Sequence, residues 1–106
     1  MSQGAYFSDL CAELPQIPPD SIVSRTIFQN DQVKVILFGF AAGQELSEHT
    51  SSKPAILHLL EGEASLTLGE ERMDVRAGAW MHMPPDLPHS IKARTTLTML
   101  LLLIGG

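Results

Sequence analysis

A chain of 106 residues has room for one hydrophobic core and none for a second, which excludes a multidomain enzyme. Its 44% apolar and 18% charged residues are those of a folded chain and not of a disordered segment. Twelve acidic residues against seven basic ones leave a net charge of −5, and the basic ones (Arg25, Lys34, Lys53, Arg72, Arg76, Lys92, Arg94) are scattered, so no stripe is available to neutralise nucleic-acid phosphates.

At the N-terminus Phe7, Leu10, Cys11 and Leu14 recur at helical spacing, with Ser8 or Asp9 available to cap. A short helix is expected there, ended by Pro15, Pro18 and Pro19. Residues 1–20 read as this helix and a proline-rich arm, and residues 21–106 as a β-barrel. From Ser21 onward β-branched residues and alternation predict strands over Ile22–Phe28, Val33–Phe40, Ile56–Leu60, Ala64–Leu68, Met73–Arg76, Ala79–Met83, Ser90–Ala93 and Leu97–Ile104. Between them stand turn formers such as Asn30-Asp31, Glu61-Gly62, Ala77-Gly78 and Pro84-Pro85-Asp86. The pattern predicts an all-β antiparallel sandwich or barrel.

The runs Val33–Phe38 and Thr98–Ile104 are apolar on both faces, and an outward apolar face must be covered. Either the N-terminal helix covers it or a second copy does, and a homodimer is the expectation for so small a sandwich. The longest apolar run, Leu97–Ile104 interrupted by Thr98, is about a third of a membrane-spanning helix. The N-terminus lacks a basic segment followed by an apolar stretch, so no membrane partner is expected. A single cysteine, Cys11, cannot form an internal disulfide, which makes the cytoplasm the expected compartment.

Four histidines, His49, His58, His82 and His89, stand in the strand-rich part. Histidine is the commonest metal ligand and titrates near neutrality, so these are the candidate metal or ligand residues. Gly43, five residues, His49 and then Gly62, followed by Gly78, five residues, Pro84 and then His89, resemble the two motifs of the cupin family. The strings Leu59-Leu60-Glu61-Gly62 and Met83-Pro84-Pro85-Asp86-Leu87-Pro88-His89 are similar to the flanking text of those motifs.

The resemblance, which spans about Val33 to Ile104, implies a double-stranded β-helix, or jelly-roll barrel, with His49 and His89 converging inside it. It also shows departures. On the family's pattern of metal ligands, Ser51 stands where a second histidine belongs and Ala55 where a glutamate belongs, while Asp86 and Ala93 replace a glycine and an asparagine. If Ala55 points inward as the family's glutamate does, alternation sends His58 to the other face unless a bulge intervenes, the direction of His82 stays open, and by the family's topology the two could meet across paired strands. Two readings follow. The first is a small-ligand binding module with His49 and His89 as polar anchors in an apolar barrel. The second is a metal-dependent enzyme of the dioxygenase or isomerase kind, with a divalent ion on His49, His89 and a further histidine.

The remaining features carry less. The glutamates fall in turns or at strand ends and are assigned no catalysis. Thr50, Ser51 and Ser52 lack a nucleophile elbow. Cys11 reads as an idle thiol, and the terminal Gly105-Gly106 as a frayed end.

Overall fold

Nine strands and one short helical turn make up the computed structural model, which describes residues 4–105. Residues 1–3 of the expected N-terminal segment and Gly106 lie outside the described residues. The strands are β1 (Ile22–Gln29), β2 (Val33–Phe40), β3 (Glu45–His49), β4 (Ala55–Glu61), β5 (Glu63–Leu68), β6 (Glu71–Arg76), β7 (Trp80–Met83), β8 (His89–Ala93) and β9 (Leu97–Ile104). They form two antiparallel sheets, ordered β1-β2-β9-β4-β7 and β3-β8-β5-β6, packed as a jelly roll.

Alternation decides which side chains fill the space between the sheets. In the four-stranded sheet Leu66 pairs with Ile91 and Ala64 with Ala93, all four buried, while Ser65, Thr67 and Lys92 between them turn outward. In the five-stranded sheet the inward set includes Phe38, Phe40, Leu57, Leu59, Met83, Leu97 and Met99. Phe40, Leu59, Leu66 and Leu97 are completely buried. Burial of each such side chain contributes about 1.5–3 kcal/mol, and their contact across the layers holds the sheets together.

One turn shows why its residue type is required. Between β4 and β5, Gly62 has φ +91°, and a Cβ there would lie 2.2 Å from the Thr96 carbonyl oxygen. Only a residue without a side chain lets the β8–β9 connection come this close.

The N-terminal segment differs from the expected helix. It makes a single 3-10 turn, Leu10–Glu13, capped by Asp9, whose Oδ1 accepts from the Cys11 backbone N–H at 3.1 Å. Pro15 follows at once, and four residues cannot offset the cost of nucleating an α-helix. The arm then lies on the outer face of the five-stranded sheet. Arg25 on β1 donates to the Glu13 backbone carbonyl and pairs with its carboxylate, and Ile17 fills the space above Gly39.

The arm covers only part of that outer face. Phe28, Ile104 and Trp80 are exposed, with Val35, Leu100, Leu102 and Ile56 half-buried between them. Among the described residues no helix is long and apolar enough to cross a membrane.

Candidate functional site

A strand absent from the sequence reading carries one of the two key residues. The segment Glu45–His49 has one apolar residue, Leu46, and is otherwise exposed, so it has no alternating signature. Its pairing with β8 makes it a strand. Leu46 opposes Ile91 and His49 opposes His89, three steps along β3 against two along β8, so β3 carries one extra residue. A regular ladder would set Glu48 opposite His89. The bulge at Ser47 and Glu48 sets His49 there instead, re-aiming a side chain as bulges next to sites do.

The two imidazoles are in contact, with ring centroids 4.2 Å apart and planes at 63°. Each ring is anchored in the same way. His49 Nδ1 lies 2.8 Å from the Ser47 carbonyl oxygen, and His89 Nδ1 lies 2.9 Å from the Leu87 carbonyl oxygen. A carbonyl oxygen carries no proton, so each Nδ1 is the donor and bears the hydrogen. In the neutral ring that leaves Nε2 as an unprotonated acceptor, the state in which histidine binds an ion or accepts from a ligand.

Backbone bonds hold the loops around the pair. The Asp86 N–H donates to the Ser51 carbonyl at 2.8 Å, linking the β7–β8 and β3–β4 connections, and the Gly69 N–H donates to the Pro88 carbonyl at 2.7 Å. Asp86 has φ 64°, a left-handed conformation that glycine adopts freely and aspartate tolerates better than most residues. Aspartate at this glycine position therefore keeps the loop that presents His89.

Beneath the rings is a cavity of about 60 Å³ between the sheets. Besides His49 and His89 it is lined by apolar side chains alone, among them Phe38, Leu46, Leu57, Leu66, Met83 and Leu101. Among the described residues no carboxylate, lysine or arginine lines it.

His58 and His82 lie elsewhere. On β4, Ala55, Leu57 and Leu59 are buried, so His58 takes the outer face of the sheet. On β7, Met81 and Met83 turn inward with Leu57 and Ala55, which sends Trp80 and His82 outward. The strands do pair, but His58 opposes Trp80 and His82 opposes Ile56, so the two histidines are diagonal neighbours. Among the described residues neither side chain makes a hydrogen bond, and no group of three or more His, Cys, Asp or Glu is placed to hold a metal ion.

The divalent ion that the cupin resemblance implies needs more donors than these residues offer. Two imidazoles are present, whereas catalytic ions take about three protein ligands and structural ones about four. At the two replaced positions Ala55 is buried and has no donor atom, and the Ser51 Oγ accepts from the Lys53 N–H at 3.2 Å. The residues do not make a complete metal centre.

Cys11 stands apart from this site. Burial, then the hydrogen bond to Glu61 and the negative charges of Glu61 and Asp9, raise its pKa from 9.0 to about 11. The thiol stays protonated and unreactive near neutrality.

Comparison with known proteins agrees with this architecture. A family model described as a cupin domain matches residues 36–105. A conserved protein of unknown function from Streptococcus pyogenes is 30% identical, covering 99% of this chain and 91% of that one, with a TM-score of 0.85. A cupin superfamily protein from Desulfitobacterium hafniense is 25% identical over 90% of this chain and 87% of that one, with a TM-score of 0.82. A salicylate 1,2-dioxygenase from Pseudoaminobacter salicylatoxidans shares the fold at 13% identity and a TM-score of 0.75, over 90% of this chain and 30% of that one. No curated protein matches the sequence.

Proposed function

This chain belongs to the cupin domain family, and from that premise we propose that it is a binding module that takes a small ligand into its barrel through His49 and His89. The observation that carries this reading is the contact of two backbone-anchored imidazoles over an otherwise apolar cavity. Apolar walls supply burial, and a few placed polar atoms supply orientation, which is the usual division of labour in a ligand site. The metal-dependent dioxygenase or isomerase reading uses the same two side chains but lacks a third ligand, and the fold shared with a dioxygenase carries no chemistry by itself.

Elemental analysis of the purified protein tests the choice. The binding-module reading expects no stoichiometric metal in the wild type. An ion retained at one per chain and lost in His49→Ala would replace it with the metal-dependent reading.

The uncovered outer face of β1, β2 and β9 supports a homodimer as the working form. Phe28, Val35, Leu100, Leu102 and Ile104 present an apolar surface of the kind that marks protein contacts. Sedimentation should give a dimer that Leu102→Lys dissociates. A wild-type monomer at high concentration would remove this part of the proposal.

A further inference from the structure

Resting on the reading of the barrel as a small-ligand site, we infer that its occupant is a short, uncharged proton donor, an alcohol being the simplest case, whose donor hydrogen meets Nε2 of His49 or His89. Both Nδ1 atoms are committed to carbonyl oxygens, so in the neutral rings both Nε2 atoms are acceptors. Two acceptors side by side cannot satisfy each other. His49 is exposed and His89 half-buried, so a donor from outside the chain completes them, water in the empty barrel and the ligand's own hydrogen once it enters.

Charge and size narrow the class. Among the described residues the histidines are the only polar ones on the wall, so a carboxylate would meet lone pairs and no cation from them, and an ammonium no carboxylate. An ionised ligand would lose its hydration without compensation, whereas a hydroxyl would exchange water for one matched acceptor. The cavity of about 60 Å³ is well under half of the ~150 Å³ that encloses benzene in a dry protein interior. An aromatic ring and a four-carbon chain are alike too large for it, and a chain of one or two carbon atoms suits it. The carbon end would lie among Leu57, Leu66 and Met83, with the hydroxyl at the two rings.

The replaced ligand positions fit the same account. With Ala55 buried in the core and the Ser51 hydroxyl accepting from the backbone, the pair of lone pairs is left for a proton in place of an ion.

Titration of the isotope-labelled wild-type chain with ethanol and its isomer dimethyl ether tests the inference by nuclear magnetic resonance. The two probes have the same formula, and only the alcohol donates a hydrogen bond. The expected result is saturable shifts of the Leu57, Leu66 and Met83 methyl signals and of both Nε2 signals with ethanol, at an affinity at least about tenfold above that for the ether. His49→Ala and His89→Ala should each bring the alcohol down toward the level of the ether and leave the ether unchanged. Equal affinity for the two isomers, tighter binding of acetate than of ethanol, or stoichiometric binding of added Zn²⁺ that requires His49 would overturn the proton-donor class. Absence of any cavity shift with either isomer up to the highest concentration at which the fold persists would overturn the small-ligand reading itself, along with the inference built on it.

Discussion

His49 and His89 lie on the paired strands β3 and β8, and His58 and His82 on the paired strands β4 and β7, yet the two pairs have different fates. On β3 a bulge of one residue sets the histidines directly opposite one another and frees the Ser47 carbonyl to hold a ring. On β4 and β7 the ladder is regular, the histidines are offset by two positions, and both face away from the cavity. The same residue type on the same kind of strand pair becomes a site in one case and surface in the other. Register, facing and a backbone anchor for each ring make the difference.

The sharpest contrast between the inner and outer faces is in stability. Leu66 is wholly buried beside the cavity, and Leu66→Ala should cost about 2–5 kcal/mol, read from urea unfolding. His82 is exposed, and His82→Ala should stay within about 0.5 kcal/mol. Comparable losses for the two would erase the distinction between the faces.

Adding a donor on the inner side should convert the site. Ser51→His supplies a third imidazole at a position where family members carry one, and Zn²⁺ affinity measured by calorimetry should rise at least about tenfold. The equivalent addition beside the outer pair, Ile56→His, gains a histidine directly opposite His82 but no ring anchored by a backbone carbonyl, and should gain less. If the outer variant bound the ion more tightly, the emphasis on anchored rings would be misplaced.

The smallest effect belongs to the polar outer face of the four-stranded sheet. The Arg94–Asp74 ion pair is solvent-exposed, so Arg94→Ala should change unfolding stability by no more than about 1 kcal/mol, less at high salt. A larger loss would show that this face contributes more than solvated charge.

Much of the fold was legible because most strands announce themselves. Val33–Phe40 and Leu97–Ile104 have the bounds that their β-branched and apolar content and flanking turn formers predict, and parity counted from the inward position that the cupin resemblance gives Ala55 turns His58 outward. That His49 and His89 meet was implied by the resemblance of the Gly43–His49 and Pro84–His89 segments to the cupin motifs, and not by their separation in the chain. Strand β3 was not legible, because Glu-Leu-Ser-Glu-His has no apolar alternation and depends on its partner for existence. The bulge was hidden for the same reason, since register is a property of two strands and the sequence shows one. The short N-terminal helix and the prolines that end it were legible, but its 3-10 type was not, because apolar spacing from Phe7 to Leu14 does not tell one tight turn from an α-helix.

The central claim is that His49 and His89 are held in contact as a pair of acceptors, each with its proton on Nδ1. Long-range proton–nitrogen correlation spectra of the labelled wild type, recorded where the rings are neutral, test it most directly. The account predicts protonated Nδ1 and bare Nε2 in both rings, together with nuclear Overhauser contacts between them. A proton on Nε2 of either ring, or rings too far apart to show such contacts, would contradict it.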